Sequence, residues 1–247
     1  MMIEIRLFEE RNLKGYTLVE GFPGAGLVGP MAISYIIDKL NMKYIGFMEG
    51  ENFPPLVSVH KNEPMPPIRI YCAEKEKIVT IFAEFALTID MVSEISNVVY
   101  NFIRKNGITT IYSIGGIPDQ TDQGNRTPFV ITSNISYIKA AQNAGLKPVE
   151  EGVATGVSAL LLLKATMDKL QDINIMVPVQ QNIIDPIYAE VAINSINKLM
   201  NLNIDVTELD KEAKMVEAKI KELINRHKET LETHKKAVDS TGPSMYA

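Results

Sequence analysis

The chain carries a single cysteine, Cys72, among 247 residues. No disulfide can close within one copy, so a reducing cytosol is the expected environment. Histidines are few: His60, His227 and His234. The last two stand seven apart in a charged stretch with no third ligand beside them, so no metal site is expected. Long apolar runs are missing. The most apolar one, Val157 to Leu163, is far too short to span a bilayer. The N-terminal Met1-Met2-Ile3-Glu4-Ile5-Arg6 alternates apolar and charged residues, unlike a signal peptide. Positive charge is not in excess: 25 Lys and Arg face 30 Asp and Glu, a net charge of −5. That balance argues against non-specific binding to nucleic acid or to an anionic membrane, and neither partner is expected.

What is present suffices for a real core. Apolar residues make up 46% of the chain, enough for one large α/β domain with or without an appendage. Alternation and β-branched runs predict strands over 3–7, 16–20, 43–48, 56–60, 68–72, 78–83, 109–114, 129–132, 148–153 and 173–179. Helical spacing and caps predict helices over 25–40, 90–105, 134–144, 159–170 and 187–200. The strand 16–20, the helix 25–40 and the strand 43–48 read as a βαβ unit.

The organising stretch is Gly21-Phe22-Pro23-Gly24-Ala25-Gly26-Leu27-Val28-Gly29-Pro30. Gly24, Gly26 and Gly29 satisfy G-x-G-x-x-G between a strand and a helix, the context of a dinucleotide fingerprint. A structural reading fits equally: a tight strand-to-helix turn favours glycine, and an apolar helix start docks closely on a sheet. Pro23 and Pro30 suit a phosphate loop poorly, because such a loop needs free N–H groups.

A second polar concentration follows the apolar run Thr109–Ile114. It is Gly115-Gly116-Ile117-Pro118-Asp119-Gln120-Thr121-Asp122-Gln123-Gly124-Asn125-Arg126. The C-terminal end of a parallel strand is where open α/β sheets bind ligands, which makes Asp119, Asp122 and Arg126 candidates for chemistry. The same residue types also form turns. Glu84 could pair with Asp119 as two carboxylates. His60 reads as structural, and Cys72 as a small buried hydrophobe.

Composition shifts after Asn203. Residues 1–203 read as the α/β domain, and 204–238 as an amphipathic helix, either of the same unit or an oligomerisation element. Leu209, Ala213, Val216, Ile220 and Leu223 follow a four-three spacing that forms a narrow seam bordered by charge. Residues 239–247, Asp-Ser-Thr-Gly-Pro-Ser-Met-Tyr-Ala, read as a flexible tail.

Three of these pieces, in this order and spacing, resemble the proteasome-assembly-chaperone family in its archaeal homo-oligomeric branch. They are Glu20–Gly29, Gly115-Gly116-Ile117-Pro118, and Glu151-Gly152-Val153-Ala154-Thr155-Gly156 before an apolar helix. The resemblance implies a three-layer α/β/α fold with a largely parallel or mixed sheet, similar to purine nucleoside phosphorylases. It also implies a homo-oligomer that binds the proteasome core particle without catalysis or cofactor. Met245-Tyr246-Ala247 resembles the hydrophobic–tyrosine–any-residue (HbYX) terminus with which such proteins dock between α-ring subunits. By that likeness, the Ala247 carboxylate pairs with a pocket lysine, the Tyr246 hydroxyl bonds backbone, and Met245 fills an apolar groove.

Two functions are therefore carried forward. One is a non-enzymatic, cytoplasmic chaperone or adaptor that presents its tail to the proteasome α-ring. The other is a nucleotide- or nucleoside-processing enzyme that uses Gly24–Gly29 for phosphate and the Asp119–Arg126 loop for chemistry.

Overall fold

The computed structural model describes residues 3–60, 62–119, 126–180 and 183–209. In chain order these form β1 (Ile3–Leu7), β2 (Thr17–Gly21), α1 (Val28–Lys39), β3 (Lys43–Gly50), β4 (Ser58–His60), β5 (Glu63–Met65), β6 (Ile68–Ala73) and β7 (Ile78–Ala83). There follow α2 (Ile89–Asn106), β8 (Thr110–Pro118), β9 (Phe129–Thr132), α3 (Ile138–Asn143), β10 (Lys147–Pro148), α4 (Gly156–Met167), β11 (Gln171–Val179) and α5 (Pro186–Met200). The main sheet runs β1-β3-β6-β7-β2-β8-β11-β9-β10, and β4 and β5 pair apart from it as a short antiparallel hairpin.

The sheet is mixed. Its centre, β7-β2-β8-β11, is parallel, and β6 and β9 flank it antiparallel. Every residue of β7 is buried, as expected of a strand covered on both faces. Alternation along each strand divides the core in two. Val19, Ile114 and Ile175 pack with α1 and α5; Leu18, Ile111 and Ile81 pack with α2 and α4. The result is a three-layer α/β/α arrangement.

Local chemistry sets the helix ends. Asp185 accepts a hydrogen bond from the Ile187 N–H, and Pro186 occupies the first helical position of α5, where no N–H is needed. Gly107 closes α2 at φ 65°, a conformation that glycine adopts freely. At the other end of α2 the cap is Thr88, and Asp90 lies in the first turn.

Three expectations need correction. β2 and β3 are parallel but not adjacent, since β6 and β7 lie between them, so no simple βαβ unit forms. Gly115 and Gly116 do not open a loop: β8 runs on to Pro118 along β11. The strand expected over 148–153 is only Lys147–Pro148. Beside these, the proline-rich 64–67 segment contributes β5, whose Pro64 faces Val59 in the two-stranded hairpin, the kind of edge that tolerates proline. Ile204 and Leu209 are buried against the α1/α5 core, and the Tyr35 hydroxyl donates to the Asp205 carbonyl. Leu209, the first residue of the expected seam, therefore packs on its own domain. Residues 210–238 and the tail 239–247 lie outside the described residues.

Candidate functional site

The glycine stretch is a close-packed crossing of backbones. A Cβ on Gly29 would stand 2.7 Å from the Ile114 carbonyl oxygen and 2.9 Å from Gly21 Cα. A Cβ on Gly21 would stand 2.6 Å from the Gly29 carbonyl oxygen, and one on Gly116 would overlap the Ala25 carbonyl. These glycines let the start of α1 lie directly on β2 and β8. Ala25–Leu27 form a single 3₁₀ turn, with the Leu27 N–H bonded to the Gly24 carbonyl at 3.1 Å. Gly26 has φ 65°, and a Cβ there would meet Val179 Cγ1 at 2.8 Å. The space through which a pyrophosphate would approach the second glycine of the fingerprint is thus filled by a valine. Of the three fingerprint glycines, Gly24 alone has open space around it.

At the C-terminal edge of β8 and β11 the structure brings Asp119 and Arg126 to one recess with Gln180, Asp185 and Tyr188. Its volume is about 70 Å³. Ligand pockets run to about 300–1,000 Å³, so this one takes a few waters rather than a nucleoside. Asp185 serves as the α5 cap, and the Tyr188 hydroxyl accepts the Gln180 N–H at 3.1 Å. Asp122 lies outside the described residues.

Glu84 does not pair with Asp119, which follows a strand two places away. Its carboxylate binds Arg69 through Nη1 at 3.0 Å and Nη2 at 2.8 Å, and His60 Nε2 at 3.0 Å. Arg69 is only 1% exposed; it also donates to the Pro66 carbonyl and lies over the Phe82 ring. Burial opposes the Glu84 charge, but the His60 hydrogen bond and the Arg69 charge outweigh it and lower its pKa to about 2. This network ties the β4–β5 hairpin to the sheet, which engages His60 structurally. Cys72 is buried in β6, and burial pushes its thiol pKa up, away from a nucleophilic thiolate.

The PAC2 family model matches residues 18–224. The chain belongs to the PAC2 family. Among solved structures it is similar to Pyrococcus furiosus PbaA, described as an archaeal homolog of proteasome-assembly chaperone. The two are 25% identical with a TM-score of 0.82, over 94% of this chain and 100% of PbaA. Pyrococcus furiosus PbaB, described as an archaeal proteasome activator, shares the fold at 20% identity and TM-score 0.74, over 90% of this chain and 98% of that one. A Methanocaldococcus jannaschii protein, MJ0106, is 29% identical over 210 residues, 85% of this chain and 86% of its own length.

Within this PAC2 fold, two acidic residues escaped the sequence reading. Glu20 of β2 and Asp172 of β11 are both fully buried on the sheet face beneath α4. Each interrupts the apolar residues of a central strand, and that interruption was the available signal. No described helix is long and apolar enough to cross a membrane. No cluster of three or more His, Cys, Asp and Glu among the described residues could hold a metal ion. The tail residues Met245, Tyr246 and Ala247 lie outside the described residues.

Proposed function

We propose that this PAC2 protein is a non-enzymatic proteasome assembly chaperone or proteasome-binding adaptor. It works in the cytoplasm as a homo-oligomer and docks Met245-Tyr246-Ala247 into pockets of the core-particle α-ring. The observation that carries the reading is the likeness to PbaA along nearly the whole of both chains. The packing of Gly21, Gly26, Gly29 and Gly116 supports it, because the stretch that would otherwise suggest a nucleotide site is occupied by the protein's own backbone and Val179.

The tail's chemistry suits a docking pocket. Tyrosine offers an apolar ring with a hydroxyl, and a terminal carboxylate forms charge-assisted hydrogen bonds about twice as strong as neutral ones. One three-residue tail binds weakly, and several tails on one oligomer gain avidity. The test is a pull-down with purified proteasome core particle. Capture by the intact chain and loss of capture by a chain ending at Ser244 are expected. Equal capture by both removes the docking role, and no capture by either removes the proteasome reading.

A further inference from the structure

The two edges of the main sheet differ. β10, at one edge, is two residues long, and one of them is Pro148, which has no N–H to give a further strand. β1, at the other, is a five-residue strand, Ile-Glu-Ile-Arg-Leu, paired among the described residues with β3 alone. Its ladder shows which groups face outward. Phe8 follows the β1–β3 register to stand opposite Ile45, and its N–H reaches the Ile45 carbonyl at 3.0 Å. Bonded pairs alternate along an antiparallel ladder. Arg6 and Glu4 therefore bond β3 as Phe8 does, and the N–H and C=O groups of Ile3, Ile5 and Leu7 point away from it. The Ile3 N–H donates to Glu94 Oε1 of α2 at 2.9 Å, in keeping with that direction. No acceptor among the described residues meets the Ile5 and Leu7 N–H groups.

Beside this edge runs a groove of about 650 Å³ between β1 and the second half of α2. Ile3, Ile5 and Leu7 line it with Val98 and Phe102, on the sheet face that α2 covers. Glu4 and Arg6 point to the opposite face, as alternation requires. There Arg6 pairs with Glu4 at 2.7 Å and with Glu49 of β3 at 2.6 Å. One guanidinium thus stands between two carboxylates in an exposed row.

We propose that the outer edge of β1 is an interface with a second copy of this chain, whose β1 pairs with it antiparallel about Ile5. The proposal rests on the homo-oligomer of the proposed function and names one of its contacts. The strand is complementary to itself in that register. Ile5 faces the partner's Ile5, Leu7 faces the partner's Ile3, and Glu4 faces the partner's Arg6, each contact repeated by the two-fold axis. The Ile5 and Leu7 N–H groups of each copy then donate to the partner's Ile5 and Ile3 carbonyls. Neither bond needs the Ile3 N–H that Glu94 holds. Apolar side chains of both strands lie on the α2 side and extend into the groove beside Val98 and Phe102. Glu4 and the partner's Arg6 fall in non-hydrogen-bonded pairs, where Cα atoms come within about 4.5 Å and side chains are closest. A slip of two residues sets Glu4 against Glu4 or Arg6 against Arg6. A slip of one breaks the ladder and turns apolar residues to the charged face, so the pattern selects a single register.

The experiment measures oligomer mass by light scattering, and dissociation constants by sedimentation at low ionic strength. It compares wild type, Glu4→Arg, Arg6→Glu, the double exchange of both, and Ile5→Pro. Each single reversal opposes like charges in both symmetry-related pairs, so half the mass and at least about tenfold weaker association are expected. The double exchange restores the opposite-charge pairs, and with them the wild-type mass. Ile5→Pro removes an outward N–H that β3 does not use, so the mass should halve with an unchanged circular dichroism spectrum. Hydrogen exchange gives a second readout: the Ile5 and Leu7 amides should exchange at least about tenfold faster in Glu4→Arg than in wild type. Wild-type mass in every variant overturns the edge pairing while the homo-oligomer reading stands, and a monomeric wild type overturns both. A double exchange that stays at half mass overturns the pairing as well. So does slow exchange of the two amides in a variant of half mass, which puts another segment of the same chain on the edge. Should Ile5→Pro fail to fold, the charge series decides alone.

Discussion

Alanine at each glycine of the α1 entry separates packing from ligand binding. At Gly29 the new Cβ would lie 2.7 Å from the Ile114 carbonyl oxygen and 2.9 Å from Gly21 Cα. Both neighbours are backbone, so neither can yield by a rotamer change. Overpacking of this kind costs about 1–3 kcal/mol, opposed by the roughly 1 kcal/mol that alanine normally gains over glycine within a helix. Gly26 adds a left-handed backbone, worth about 1–2 kcal/mol against alanine, to the 2.8 Å approach of Val179. Gly24 has nothing within 4 Å and an extended backbone at φ −153°, so alanine fits there. The expected order is Gly24→Ala within about 0.5 kcal/mol of wild type, Gly29→Ala lower by up to about 2, and Gly26→Ala lower by about 2–5. With folding stabilities of about 5–15 kcal/mol, the last is a severe loss. Urea unfolding monitored by circular dichroism reads these values, with nucleotide titrations alongside. Equal stability of all three variants refutes the packing account. Saturable micromolar nucleotide binding to wild type that disappears in a fully stable Gly24→Ala would instead establish the phosphate-loop reading.

The remaining expectations are briefer. The Glu84 pKa of about 2 lies below its ordinary 4.5, so its stabilisation is complete above pH 4.5 and is lost as pH falls toward 2. The loss is on the order of 3 kcal/mol, and Glu84→Gln should show no matching acid loss in urea unfolding between those pH values. The same substitution at pH 7 should cost about 3–5 kcal/mol, because Arg69 remains charged and buried without its partner. His60→Ala should speed proteolysis within the β4–β5 hairpin at least about tenfold while β6 and β7 stay protected, since one charge-assisted hydrogen bond is removed. Replacing Ile220 and Leu223 by Glu should lower the oligomer mass in light scattering without changing the circular dichroism spectrum; an unaltered oligomer removes the seam from the interface.

Much of the fold could be read from the chain because local signals agreed with one another. The runs 78–83 and 129–132 became strands at those same bounds, and Asp185-Pro186 began α5 as its capping chemistry requires. Strand order was less legible, since alternation marks a strand's faces but not its neighbours. Hence β6 and β7 came unannounced between β2 and β3. Gly115 and Gly116 looked like a loop because the close approach of Ala25, which requires glycine at 116, comes from a distant part of the chain. For the same reason, sequence alone could not bring Glu84 to a partner, whether Asp119 or the Arg69 and His60 that bind it in the fold. The motif glycines were visible at once. The role of Gly26 depended on Val179, more than 150 residues away, and that of Gly29 on Ile114 and Gly21.

The central claim is that Met245-Tyr246-Ala247 binds the proteasome α-ring. Surface plasmon resonance against immobilised core particle tests it most directly, using the intact chain, a chain ending at Ser244 and a chain extended by one residue past Ala247. The account predicts at least about tenfold weaker binding for the truncated form, roughly 1.4 kcal/mol per site before avidity. The extended form should also weaken, because its carboxylate is moved out of reach of its partner. Equal affinity for all three forms would contradict the claim.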